Sequence, residues 1–113
     1  MYIVITQPHF FPAEAERITL LFQAGLQRLH LRKPDSAIDD CRQLLRAIPA
    51  AYHPRIVLHD HFALTSEFAV AGTHLSRRNP SHHTAVSTSC HSIDELRERR
   101  REGFDYLSLS PIF

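Results

Sequence analysis

"RIVLHDHFALTSEFAVAGTHLS", Arg55 to Ser76, decides how this chain folds. It opens with a short β-branched run, "RIVLHD" (Arg55–Asp60). A stretch with helical spacing follows, Ala63 to Val70. Gly72 then starts a second extended run, "GTHLS" (Gly72–Ser76). Two extended runs joined by a helix-length connection read as neighbouring parallel strands with a crossover. Both runs also end in polar chemistry, His59 with Asp60 and His74 with Ser76.

The same unit repeats on either side. Upstream, Tyr2 to Thr6 is a strand ended by Pro8. Pro12 opens a helical stretch with Ile18, Leu21 and Phe22 on one face, and Gly25 stands where a helix ends. Leu29 to Arg32 is the next strand. Asp35 or Ser36 can cap a second helix, with Ile38, Cys41, Leu45 and Ile48 at core spacing and Pro49 closing it. Downstream, "RRNPSHHT" is a loop and "AVSTSCHS" a fifth strand. Ser92 with Glu95 forms a capping box for a helix that runs to Gly103, and "DYLSLSPIF" is a sixth strand.

Strands that alternate with helices at a period of about 25 residues predict an all-parallel α/β sheet, either a (β/α)8 barrel or an open doubly wound sheet. No Gly-x-Gly-x-x-Gly follows the first strand, which argues against dinucleotide binding. A closed barrel takes at least ~200 residues. The 113 residues therefore predict one partial barrel domain over residues 1–113, strands one to six of eight. Its unpaired outer strands predict that a further copy, in a homodimer, or further chain covers them. An open five- or six-stranded sheet that ends here is the alternative.

A net charge of +1 gives no global field toward nucleic acid or a membrane. No segment approaches the ~20 apolar residues of a membrane span, and "MYIVITQP" lacks the pattern of a signal peptide. Two cysteines, Cys41 and Cys90, make neither a disulfide framework nor a zinc motif, so the expectation is a cytoplasmic protein with free thiols. Nine histidines, in clusters, are the unusual feature.

At the predicted strand C-termini stand Gln7, His30 with Arg32, His59 with Asp60, His74 with Ser76, Ser89 with His91, and Ser110. In parallel α/β folds those ends build the active site. An arginine there suits bidentate phosphate binding, though the same residue on a surface strand is only a solvated charge. Asp60 can hold Mg²⁺ through a substrate phosphate. A single histidine near a strand end is more often hydrogen-bonded scaffolding than a catalyst. Cys90 and His91 are neighbours in a strand and point to opposite faces, so the thiol reads as buried and inert rather than as a nucleophile paired with His91. The run "RERRRE" (Arg97–Glu102) reads as a solvated helix face.

Taken in order, "LHLRK", "VLHDHFALTSEFAVAGTHLSRRNP", "STSCHSIDEL" and "DYLSLSPIF" resemble the thiamine phosphate synthase/TenI superfamily. The resemblance covers nearly the whole chain and implies a (β/α)8 barrel. It implies an enzyme of thiamine biosynthesis that takes a small phosphorylated heterocycle. That enzyme is either a transferase coupling a thiazole phosphate to a pyrimidine diphosphate with Mg²⁺, or a TenI-type tautomerase using a histidine as acid/base. A non-catalytic relative that binds a phosphorylated small molecule or a partner protein is the alternative. Arg32 matches the family arginine that contacts diphosphate, Asp60 the Mg²⁺ aspartate, Ser89 the family serine and His91 the family histidine. His30 and His59 stand at the glutamine and asparagine positions, and Ser110 at the glycine before Pro-Ile-Phe. Lys33 is one position early, with Pro34 at the lysine position, and Asn79 stands where a second Mg²⁺ carboxylate is expected. Loss of those charge partners weakens the Mg²⁺ expectation and favours proton transfer at His91.

Overall fold

The computed structural model describes residues 2–76, 78–79, 82–90 and 92–109, with the backbone alone for Leu109. Six strands pair in chain order, all parallel: β1 (Ile3–Ile5), β2 (Arg28–Leu31), β3 (Ile56–Leu58), β4 (Gly72–Leu75), β5 (Ala85–Cys90) and β6 (Tyr106–Leu109). The sheet curls as part of a (β/α)8 barrel. Crossover segments cover its outer face, including α1 (Glu14–Gln23), α2 (Ile38–Ala47) and α3 (Ile93–Arg99). Among the described residues no helix is long and apolar enough to cross a membrane.

Strand alternation divides the sheet into two unlike faces. Leu29, Leu31, Ile56 and Leu58 point outward. They form one core with Ile18 and Phe22 of α1 and Cys41, Leu44 and Leu45 of α2. The opposite, concave face carries His30, His59, His74, Ser87 and Tyr106, joined by side-chain contacts. Ile5, the register partner of His30, is 56% exposed on the β1 edge.

Gly72 sets the approach of β4 to β5. Its φ is +152°, and a Cβ there would lie 2.3 Å from the Thr84 carbonyl oxygen and 2.7 Å from Val86 Cγ1. The register shifts just beyond, between Thr73 and His74, which brings His74 opposite Ser87.

Three local expectations change. The Ala63–Val70 stretch is not an α-helix but a 3-10 turn over Phe62–Ser66, closed by Leu64 N–H to the His61 carbonyl and by Thr65 Oγ1 to the Phe62 carbonyl. Burial of Leu64 and packing of Phe68 and Val70 on the core outweigh helical spacing over so short a crossover. Neither Asp35 nor Ser36 caps α2. Ala37 takes that position without a side-chain bond, because Ser36 Oγ donates back to the Lys33 carbonyl at 2.6 Å. Pro12 does not open α1, which starts after Ala13 in a left-handed conformation. The Ser92 cap forms as expected, accepting from Glu95 N–H at 3.1 Å, and Gly103 ends that segment at φ +81°.

Candidate functional site

Three imidazoles meet on the concave face, supplied by β2, the end of β3, and β4. His30, His59 and His74 are 3%, 6% and 2% exposed, and each has a ring nitrogen within 4.8 Å of the others. His30 Nδ1 lies 2.7 Å from His59 Nε2, and His30 Nε2 lies 2.6 Å from the Tyr106 hydroxyl. His74 stacks on His59 at 4.3 Å, and its two nitrogens reach Ser87 Oγ and Ser89 Oγ, each at 2.6 Å. Ser108 Oγ extends the network to Ser89 at 3.4 Å.

A neutral imidazole has one donor and one acceptor nitrogen. Two proton arrangements therefore satisfy His30: Tyr106 O–H donates to it while it donates to His59, or the whole row reverses. Burial is the first cause of neutrality here. It lowers the His30 pKa from 6.5 to about 4, helped by His74 and Arg28. His59 falls to about 2, through burial, then His74 and His30, then Arg32 and Arg78. His74 falls to about 4 through burial alone. At neutral pH the cluster carries no charge, and its imidazoles act as paired hydrogen-bond donors and acceptors.

Around it, the connections that leave the first three strands hold three non-glycine residues at left-handed φ: Ala13, Asp35 and His61. Side chains over-determine these bends. Lys33 is fully buried and donates its three protons to the Gln7 carbonyl (2.8 Å), the His9 carbonyl (2.8 Å) and Glu14 Oε2 (2.7 Å). Lys33 therefore ties the first connection to the end of β2. Glu14 Oε1 is the one buried side-chain polar atom among the described residues without a partner.

Asp60 is equally committed. Oδ2 accepts from Lys33 N–H at 2.9 Å, and Oδ1 accepts from Arg78 Nη1 at 2.8 Å and Asn79 Nδ2 at 3.4 Å. Asn79 also donates to the His59 carbonyl at 2.8 Å. Mg²⁺ needs free anionic oxygens. Here the carboxylate is paired with the Arg78 guanidinium, beside an amide that serves as donor, so Mg²⁺ at Asp60 would have to displace Arg78. Arg32 differs from its neighbour Lys33: its backbone is fixed to Thr6, but no hydrogen bond or ion pair among the described residues holds its guanidinium.

Of the residues singled out in the sequence, His30, His59 and Ser89 fall in one bonded network, with Arg32 and Asp60 at its rim. His91 and Ser110 lie outside the described residues. Cys90 is buried on the opposite face of β5, near Glu95 and Arg99 of α3, and burial raises its pKa. Tyr106 and Ser87 were not singled out, because they do not stand at strand C-termini. The stagger of neighbouring strands brings Tyr106, the first residue of β6, level with Ser87 in the middle of β5. The alternation Tyr106, Ser108, Ser110 was the available signal. Two clefts of about 380 and 600 Å³ flank α1, and neither is lined by the imidazoles.

Residues 1–113 match the family described as "Thiamine monophosphate synthase". A crystal structure from Bacteroides thetaiotaomicron, described as thiamine phosphate pyrophosphorylase, is 47% identical. It superimposes with a TM-score of 0.89 over 97% of this chain and 57% of its own length. A thiamine phosphate pyrophosphorylase from Pyrococcus furiosus, 20% identical, shares the fold with a TM-score of 0.73 over 98% of this chain and 60% of its own. A protein of Aquifex aeolicus (strain VF5) described as "Putative thiamine-phosphate synthase 2" is 23% identical over 126 residues, covering 100% of this chain and 67% of that protein. The chain thus spans about 57–67% of the length of these relatives.

Proposed function

This chain belongs to the thiamine monophosphate synthase family, and from that premise we propose that the protein carrying it is a thiamine-biosynthesis enzyme acting on a phosphorylated thiazole by proton transfer. The observation that carries this reading is the state of the strand-end charges. Asp60, the carboxylate that would hold Mg²⁺ on a leaving diphosphate, is bonded to Lys33 N–H and Arg78, while Arg32 remains available for a phosphate. Arg32 then anchors the phosphate through paired N–H donors. His30, His59 and Ser89 offer neutral hydrogen-bonding groups to the ring, and His91, from the family pattern, is the acid/base. A histidine near its ordinary pKa suits that role at neutral pH.

One observation favours a second reading. The 47% identical relative is described as a pyrophosphorylase, which supports coupling of the thiazole phosphate to a pyrimidine diphosphate. That chemistry requires Asp60 to exchange Arg78 for a cation.

The two readings separate in one experiment. The purified protein is incubated with a thiazole carboxylate phosphate in D₂O, and ring-proton exchange is followed by NMR. In parallel it is given thiazole phosphate, pyrimidine diphosphate and Mg²⁺, and diphosphate release is measured. Exchange without diphosphate release is the expected result. Mg²⁺-dependent diphosphate release without exchange overturns the proton-transfer reading in favour of coupling.

A further inference from the structure

We propose that His30, His59 and His74 form a binding site for one d-block cation of the zinc class, on the concave face of the sheet. The interior of a (β/α)8 barrel is normally filled by branched apolar side chains. Here three adjacent strands each contribute a buried imidazole to one point, where packing alone asks for Val, Ile or Leu. The donor set is all nitrogen, which suits Zn²⁺, Co²⁺ or Ni²⁺ and not Mg²⁺.

The geometry is near what such an ion needs. Nitrogens bound at about 2.0–2.1 Å in a tetrahedron stand about 3.3 Å apart. The His30–His59 pair, at 2.7 Å, has to open by about 0.6 Å to reach that spacing, and His74, within 4.8 Å, has to close in. The protons can be accommodated without a change of charge. His30 moves its proton to Nε2 and donates to Tyr106, His59 keeps one on Nδ1, and His74 keeps one on whichever nitrogen still faces its serine. Outer partners that orient ligating imidazoles are therefore already in place for His30 and His74. Three ligands leave a fourth position for water or another donor.

The site shares His30 and His59 with the proposed ring-binding groups, and its test needs no substrate. Metal-free protein is titrated with Co²⁺, following visible d–d absorption and bound metal per chain. One equivalent with the absorption of four-coordinate cobalt is expected. His59→Ala should weaken Co²⁺ by more than the roughly 10–100-fold that loss of an outer partner costs, and Tyr106→Phe by an amount within that range. Should His59→Ala fail to fold, Tyr106→Phe and the parent titration still decide. The pair His82 and His83 before β5, which stack on each other at 4.4 Å, provides the control. The double variant His82→Ala/His83→Ala should bind Co²⁺ like the parent. The proposal is overturned if the parent binds no stoichiometric Co²⁺, if Tyr106→Phe leaves affinity unchanged, or if the His82/His83 variant abolishes the signal.

Discussion

The two faces of the sheet are built from alternate residues of the same strands, yet they follow opposite rules. On the outer face Leu29, Leu31, Ile56 and Leu58 meet α1 and α2 as an apolar layer. On the concave face His30, His59, His74, Ser87 and Tyr106 form a buried polar network in which each bond depends on its neighbour's proton. Burial alone therefore does not separate scaffold from site, since residues on both faces are almost fully covered. What separates them is whether the covered group needs a partner. Close packing holds the outer layer, whereas the inner one costs desolvation unless its hydrogen bonds, or a ligand, satisfy it.

The strand-end cation Lys33 gives the sharpest break between the two regions. It stands beside the site by sequence but belongs to the scaffold through Glu14. Lys33→Met leaves the Glu14 carboxylate buried without a counter-charge, and removal of one partner of such a pair costs about 3–5 kcal/mol. Chemical denaturation should show that loss, and Glu14→Gln added to Lys33→Met should recover much of it. If Lys33→Met instead unfolds like the parent and loses phosphate affinity, the lysine belongs to the site.

Leu29→Ala is the next largest effect. It opens a cavity in the outer layer between β2 and the helices, with an expected cost of about 3 kcal/mol. Ser89→Ala, on the concave face, removes the hydroxyl that bonds His74 and, at longer range, Ser108, and should cost about 1 kcal/mol. The order of these two urea midpoints tests whether packing carries the outer face. A Ser89→Ala cost equal to that of Leu29→Ala would mean that the polar network carries as much stability as the core.

Much of this division was legible in the sequence, and the failures have physical causes. The repeated strand–helix period revealed parallel strands, and the alternation of Leu29, His30, Leu31 and Arg32 the facing of His30. The chain order of the strands followed from their spacing, and the Ser92 cap from its residue pattern. The Ala63–Val70 stretch misled because helical spacing of apolar residues also suits a tight turn pinned by Leu64. Lys33 read as a displaced phosphate ligand because sequence spacing does not show Glu14, which comes from another connection. Tyr106 escaped notice because strand ends were taken as the site, whereas stagger puts the start of β6 level with the middle of β5. The meeting of three imidazoles depends on a register shift after Thr73, which has no sequence signature of its own.

Acid pH should weaken the inner face selectively. Burial pushes His30, His59 and His74 down to about 4, 2 and 4 in the folded protein, from the ordinary 6.5. The unfolded chain therefore binds more protons below that value. Stability that is fully present above pH 6.5 is lost as pH falls through 6.5 toward 4, by about 1 kcal/mol per pH unit for each imidazole. Urea midpoints of metal-free protein at about pH 7.5 and about pH 5 measure this. The Leu29→Ala decrement should be the same at both. A pH-independent parent would mean that the imidazoles do not lie buried and neutral.

Arg32→Ala should have the smallest effect on folding and the most specific effect on binding. Arg32 and Lys33 are adjacent and carry the same charge, so a difference between them cannot come from net charge. Lys33 has three short bonds to protein oxygens, while the Arg32 guanidinium has none among the described residues. A half-buried arginine without partners contributes to stability only through its aliphatic stem, so the unfolding free energy should move by no more than about 0.5 kcal/mol. Loss of a charge-assisted pair of bonds to phosphate, at about 1.5–3 kcal/mol, should weaken binding of a thiazole phosphate by roughly 10–150-fold. Arg32→Lys should restore only part of this, because an ammonium cannot reproduce the planar fork. Calorimetric titration of the three proteins with thiazole phosphate measures the order Arg, Lys, Ala. Equal affinity in all three would remove Arg32 from the phosphate site. A large stability loss in Arg32→Ala would put it with Lys33 in the scaffold and erase the contrast between the two neighbours.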